Sequence, residues 1–549
     1  MEFQKVSLKA LKCSALLFFN PKAFILAKKI VILGSIVLLG LTLRLTGLGW
    51  GLPNELHHAS FNLDEEPILI AAFRVFPIMP RLNPHFFPHG TTQTYLISMA
   101  LKVADFIGYL RLIDAESIKK DPTAYYRAFC SPKVYLVGRF LSVLMSTASI
   151  LLVYFLGRSL FTEPVGFIAA LILSIAPMDI VTAHFLKSDS GMVFWLVLSL
   201  LMSSRLFKRA SKRRDLFLAG FFATLAATTK YTGAVAFIPL ISEIIFSTIP
   251  LISSLIILLS SLISGIIIGM PCLLFAPSSI IHDIGIEFQW QQVANMNQGV
   301  GEGPRFLYYF TNVFYFGCRI PLLLLLCEGA LAALKRRGKE DIFCFSLLAP
   351  YLFLLWCGGA VTVRYAIPLL PVLVIIAAKF VVNSLTDKTK WLRDVNLLIF
   401  ILTLGYTLAF ASACSHLMTE EDVRMEAYKE IKSTTRPNSR IGMISADYYP
   451  MLFSGKKFQT IGYDYDKAKQ FDYLLLYGFE FEVPNHFKHR YLAENVFLSK
   501  LFSHKDFELA RSFQRYPRFF GWRFDESYTV NDWDITHPTL LLFKNKSGL

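Results

Sequence analysis

Apolar runs recur along this chain near residues 30–50, 134–157, 165–183, 190–207, 215–230, 231–249, 251–276, 306–334, 342–361, 365–383 and 395–415. Most approach the roughly 20 residues that an α-helix needs to cross a hydrocarbon core. The pattern therefore predicts about 11 membrane spans, with the members of 215–276 short and closely spaced. Beyond residue 416 the pattern changes. Glu420–Ser433 has the spacing of an amphipathic helix, and Glu494–Phe513 also has mostly helical spacing. Arg440–Ile444, Phe471–Tyr477 and Thr539–Phe543 read as short strands. Alternating helices and strands predict a small α/β domain over 416–549, long enough to hold a core of its own.

The resulting expectation is a mainly helical, polytopic membrane protein: an N-terminal segment 1–29, a membrane domain 30–415 and an extracytoplasmic α/β domain 416–549. The 51–133 segment is too long for a plain connection. Its prolines, aromatics and amphipathic patches such as Tyr95–Leu101 predict one or two helices lying in the membrane interface.

Composition agrees. Of the 549 residues 54% are hydrophobic and 17% charged, against roughly 25% charged in soluble domains. The net charge of +15 is gathered in short clusters between apolar runs, which excludes a nucleic-acid surface and points to cytoplasmic loops and anionic headgroups. Lys28-Lys29, Arg205 to Arg214, Lys335-Arg336-Arg337 and Lys388 to Arg393 all fall on one side if the spans alternate. The N-terminus is then cytoplasmic, and 51–133, the Lys- and Arg-free 277–303 loop and 416–549 lie outside. No small-residue cleavage site follows the basic N-terminus, so the first run is expected to stay as an anchor. The cysteines show no paired zinc-site spacing, and none follows Cys414. No internal repeat is visible, which weighs against an inverted-repeat transporter.

Several polar residues fall at one membrane edge in this topology: Asp64-Glu65-Glu66, His184, Lys187, Asp189, Lys230, Arg364-Tyr365, and His85 and His89 in the first loop. Each has a plain alternative. The acids suit a solvated surface, His184 a helix end, and Lys187 and Arg364 the headgroups. Lys230 lies inside an apolar stretch, where a charge is costly and marks a site. Taken together they make carboxylates facing a cationic wall. Arg and Lys grip phosphate oxygens, and a carboxylate takes the proton of an attacking hydroxyl. That combination describes sugar transfer from a lipid-phosphate donor.

Four motifs occur in one order over residues 30 to 380: Asn62-Leu63-Asp64-Glu65, then His184-Phe185-Leu186-Lys187-Ser188-Asp189, then Leu218-Ala219-Gly220 through Thr229-Lys230-Tyr231-Thr232-Gly233, and Arg364-Tyr365-Ala366-Ile367-Pro368-Leu369-Leu370-Pro371. Their order resembles the GT-C glycosyltransferases, in particular glycosyltransferase family 39, the branch of protein O-mannosyltransferases and lipid A aminoarabinose transferases. The resemblance implies an inverting transfer without metal or cofactor, from a polyprenyl-phosphate sugar to a hydroxyl on a glycan, lipid or protein. It makes Asp64 the base or acceptor-orienting acid with Glu65 beside it, and gives Asp189 a supporting role. Lys230 and Arg364 become candidates for the donor phosphate, with Tyr365, His184 and Lys187 also at the substrate. The aminoarabinose branch carries a basic first-loop residue, for which His85 or His89 substitutes here. The Trp-Trp-Asp motif of oligosaccharyltransferases is missing, and Asn531-Asp532-Trp533-Asp534 lies in the wrong type of segment. The expected setting is a bacterial inner membrane. A transporter or lipid flippase, its intramembrane charges lining a pathway, is the alternative.

Overall fold

A computed structural model describes residues 21–75, 82–112, 130–206, 212–297, 308–357, 362–445, 453, 457–486, 488–524, 533 and 535–547. Among the described residues, fifteen α-helices precede the C-terminal region: α1 Pro21–Leu45, α2 Glu65–Val75, α3 Thr92–Phe106, α4 Pro132–Leu160, α5 Glu163–Ser174, α6 Pro177–Ala183, α7 Ser188–Ser203, α8 Arg213–Thr229, α9 Phe237–Phe246, α10 Leu251–Gly269, α11 Pro277–Asn297, α12 Tyr315–Arg336, α13 Lys339–Cys357, α14 Leu370–Leu385 and α15 Lys390–Leu417. Among the described residues, seven helices are long and apolar enough to cross a membrane, or eight if the bent pair α5–α6 is one span. The protein is an integral, multi-pass membrane protein. The expected spans at 190–207, 215–230 and 231–249 coincide with helices of 16, 17 and 10 residues, so helix length alone does not give a count of 11. Part of the expected 277–303 loop is helical, as α11.

Helices that face lipid cannot associate by hiding apolar surface from water, so they approach through small residues. α10 shows this: Leu251, Ile252, Leu255, Ile256 and Leu259 are exposed, whereas Ser254, Ser261, Gly265 and Gly269 are buried. A Cβ at Gly265 would collide with Thr224 and one at Gly220 with Ser261, so α8 and α10 pack backbone to backbone.

The 57° bend between α5 and α6 has an identifiable cause. Pro177 has no N–H and stops the first helix, freeing carbonyls that hydrocarbon cannot satisfy. Arg44 of α1 does so instead, donating to Ser174 O at 3.1 Å and Leu173 O at 3.2 Å. Its guanidinium also meets Asp179 Oδ2 at 2.5 Å and Ser146 Oγ at 2.7 Å.

A second buried arginine pins the first loop. Arg139 of α4 donates through Nε and Nη2 to the two oxygens of Glu65, at 2.9 and 2.7 Å. Its Nη1 donates to the Leu48 and Trp50 carbonyls at 2.9 and 2.6 Å. Glu65 also accepts from Ser60 Oγ at 2.5 Å and from the Leu186 amide at 2.7 Å. One carboxylate thus joins the end of α1, the start of α2, α4 and the link between α6 and α7. A Cβ at Gly138 would strike Leu186, so this link lies flush on α4.

The C-terminal region is α/β, as expected. Helix α16 (Val423–Thr434) leads into a five-stranded sheet of β1 Ile441–Met443, β2 Phe458–Thr460, β3 Tyr473–Tyr477, β4 Phe507–Phe513 and β7 Leu540–Asn545, in the order β2-β1-β3-β7-β4. β1 runs parallel to β2 and β3, and β7 antiparallel to β3 and β4. Helices α17 Tyr465–Ala468, α18 Gly478–His486 and α19 Leu492–Phe502 connect the strands, and a hairpin of β5 Arg518–Phe519 and β6 Trp522–Arg523 stands apart. The helical expectation for 494–513 holds to Phe502 and then fails. β4 is an edge strand with only Phe507 and Phe513 buried and a bulge at Leu509–Arg511, so it lacks the apolar alternation that marks a strand.

Arg139→Ala leaves Glu65 charged, buried and alone, which costs about 3–5 kcal/mol. A clear fall in thermal stability of the detergent-solubilised protein is expected, with Glu65→Gln in the same background restoring part of it.

Candidate functional site

Fixed at the start of α2 by the Glu65–Arg139 pair, Asp64 points the other way and its side chain is 48% exposed. Its Oδ2 accepts from Lys187 Nζ at 2.9 Å and from Arg364 Nη1. Lys187 immediately precedes α7, with its ammonium 5.5 Å from the Phe185 ring. Arg364 lies in the 3₁₀ turn Val363–Leu369 that leads into α14.

A second ion pair lies alongside. Asp189, in the first turn of α7, accepts from Lys230 Nζ at 2.6 Å. Lys230 caps α8 in an extended conformation, where the chain turns into a 3₁₀ segment from Tyr231. Its ammonium sits 4.4 Å from the centre of the Tyr365 ring, and the Arg364 guanidinium 5.6 Å from the same ring. Tyr365 therefore links the two pairs.

The first loop closes over this group. A Cβ at Gly90 would fall on the Thr228 carbonyl at the end of α8, so only glycine lets the loop come this close. Tyr231 Oη donates to the Phe87 and His89 carbonyls at 3.0 and 3.3 Å. His89 is thereby brought within electrostatic reach of Lys230, Asp189, Glu287 and Arg364.

The structure thus gathers Asp64, Lys187, Asp189, Lys230, Arg364, Tyr365 and His89. It does not bring Glu65, His184 or His85 into this group. Glu65 is fully buried in the Arg139 network. His184 caps α6, its ring nitrogens meeting the Ile180 and Thr46 carbonyls at 2.8 and 2.7 Å. His85 is exposed, with positive φ, in a turn closed by its amide on Asn83. Arg139, Arg44 and Glu287 were missed by sequence reasoning. The first two carry the same signal as Lys230, a charge inside an apolar run. Gln93 was missed too: it is buried beside Gly191, and its amide has no hydrogen-bond partner among the described residues.

Electrostatics separate the members. The Lys187 charge, with that of Arg364 and against the cost of burial, holds Asp64 well below the usual carboxylate range. Burial lowers His89 from 6.5 to about 4, helped by Lys230 and Arg364 and opposed by Asp189 and Glu287. At neutral pH the cluster is a set of ion pairs, three cations on two carboxylates, beside a neutral imidazole.

Residues 133–275 match the model of the family described as dolichyl-phosphate-mannose-protein mannosyltransferase. The resemblance read from the motifs is borne out over this stretch, which contains the His184–Asp189 and Leu218–Gly233 segments and ends before Arg364. No curated protein sequence matches at a significant level. Similar solved structures include ArnT from Cupriavidus metallidurans in the apo state, at 12% identity and a TM-score of 0.49 over 93% of this chain and 97% of that one. The Archaeoglobus fulgidus oligosaccharyltransferase AglB, solved with an inhibitory peptide and a dolichol-phosphate, is 14% identical with a TM-score of 0.47 over 82% and 69%. The mycobacterial arabinofuranosyltransferase AftD is 13% identical with a TM-score of 0.43, over 82% of this chain and 35% of that one.

A histidine lowered from 6.5 to about 4 favours the folded state less as the pH falls through that window, because the unfolded chain takes up the proton first. His89→Gln removes this term. Its melting temperature is expected to vary less than that of the wild type between pH 6.5 and 4, as read by a thermal-shift series in detergent.

Proposed function

We propose that the protein is a membrane glycosyltransferase that moves a sugar, with inversion, from a polyprenyl-phosphate donor to an acceptor hydroxyl on a glycan, lipid or protein. The observation that carries this reading is Asp64: a half-exposed carboxylate held by Lys187 and Arg364, beside the Asp189–Lys230 pair. The match of residues 133–275 to a family that uses dolichyl-phosphate-mannose supports the donor class. Nothing observed favours the transporter.

A carboxylate gripped by two cations is a weak base. The donor phosphate competes with Asp64 for Arg364 and Lys187, and binding it releases Asp64 toward its ordinary basicity. The acceptor oxygen then attacks the anomeric carbon and its proton passes to Asp64. The bond from that carbon to the phosphate oxygen breaks, and the phosphate leaves with the electron pair, stabilised by Arg364, Lys187 and Lys230. Asp189 holds Lys230 in place, and Tyr365 spaces Lys230 from Arg364. Glu65 acts one step back, by setting where Asp64 stands. In this reading the site opens on the extracytoplasmic side of a bacterial inner membrane, under the α/β domain.

Purified protein in lipid, given a panel of polyprenyl-phosphate sugars and acceptors, should release free polyprenyl phosphate. Asp64→Asn is expected to lower kcat by about 10²–10⁴-fold while retaining donor binding. Lys230→Ala should weaken both. Full release by Asp64→Asn would discard the assignment of the base. Donor-induced release of Asp64 also predicts different acid limbs in the pH profiles. The apparent pKa from kcat, which reports the bound complex, should exceed that from kcat/KM, which reports the free enzyme.

A further inference from the structure

The turn of the β5–β6 hairpin holds Phe520 and Gly521 at positive φ, 45° and 83°, and presents Phe520 and Trp522 to the outside, 97% and 67% exposed. Two such aromatics on a hairpin tip in water would be a sticky patch. The hairpin packs instead along α15, whose Tyr406 and Phe410 meet Phe524 at 5.7 and 5.1 Å.

Its depth follows from two helices. In α15 the inner limit of the hydrocarbon is marked by Arg393 and Asp394, and about 20 residues further on the other limit falls near Ser415. Tyr406 then lies about 13 Å inside that second limit at a rise of about 1.5 Å per residue. α12, running in the opposite direction, carries Lys335 and Arg336 at its charged end and is regular back to a break at Arg319, where φ is 61°; its far limit lies about 30 Å from Lys335. Ile320 and Leu324 lie about 8 to 13 Å inside. These residues, Tyr406 and Trp522 line one groove of about 850 Å³ between α12, α14 and α15. Both helices thus give acyl-chain depth for Trp522, in the leaflet on the side of the C-terminal domain.

The hairpin suits that place. Arg518 pairs with Arg523 and Phe519 with Trp522 across the ribbon, so its backbone partly satisfies itself. Arg518 is exposed, and the Arg523 guanidinium stacks on the Tyr516 ring, 3.4 Å from its centre.

We propose that residues 518–523 insert into the bilayer leaflet and that the groove closed by Trp522 holds an acyl chain of a bilayer phospholipid. The donor's polyprenyl chain would have to run down from its phosphate to reach the same groove, and the test below separates the two occupants. The groove residues Phe380 and Ser384 of α14 lie 15 or more positions beyond Tyr365, at least about 22 Å along the helix from the ion-pair cluster.

The test uses the full chain in vesicles, with Cys13, Cys130, Cys327 and exposed Cys357 replaced by Ser and an environment-sensitive fluorophore on Phe520→Cys. Nitroxide-labelled phospholipids should quench it strongly and iodide should not. Quenching by iodide alone would overturn insertion. Adding Trp522→Glu, at an exposed position that leaves the sheet core intact, should reduce the nitroxide quenching; no change would count against the hairpin's role. A fluorophore on Ser384→Cys reports the groove. Nitroxide quenching there that persists in excess polyprenyl phosphate supports an acyl chain, and quenching abolished by polyprenyl phosphate overturns that occupant.

Discussion

A charge withdrawn from water into a bilayer must find its partner within the protein, and this chain is arranged by that requirement. Removing one member of such a pair costs more than the pair itself contributes, so each buried charge fixes the position of whatever carries its counterpart. Arg44 ties α1 to the break between α5 and α6, and Arg139 ties α4 to the first loop. With those two fixed, the segment from His184 to Asp189 has little freedom. Lys187 and Asp189 emerge from it toward Asp64 and Lys230, and the cluster assembles from segments as far as 300 positions apart.

Asp64 and Glu65 show how neighbouring carboxylates are given different lives by a single helix start. Glu65 is enclosed by a guanidinium, a hydroxyl and an amide, and has nothing left to offer a ligand. Asp64 is half open and held only by the Lys187 and Arg364 side chains, which the proposed reaction passes to the donor phosphate. The first is a hinge pin of the fold, and the second is available for exchange.

Much of this was legible in the sequence, for physical reasons. Long apolar runs must become spans or buried helices, and a lysine within such a run must have a partner, so Lys230 stood out before any geometry was known. Placing Asp64, Lys187, Asp189 and Arg364 with it followed from counting spans, although the helices at 188–203 and 213–229 are too short to secure that count by length. The partners themselves were not legible. Nothing in the order of residues says that Glu65 faces Arg139 while Asp64 faces Lys187, since that choice is made by a turn at Asn62–Asp64. His184 and His85 were drawn in by proximity in sequence, and the carbonyls that hold His184 come from elements that only tertiary folding unites. β4 is not legible as a strand because only its two ends, Phe507 and Phe513, are buried, and the five positions between them are exposed.

The Arg44–Asp179 pair closes across 135 positions. A chain made from its N-terminus brings α1 to the membrane well before α5 and α6 exist. During that interval Arg44 lacks Ser146, Asp179 and the carbonyls at the Pro177 break, and within its own helix only the Gly40 carbonyl is at hand. Its set of partners is complete only once α4 and the α5–α6 break have been made.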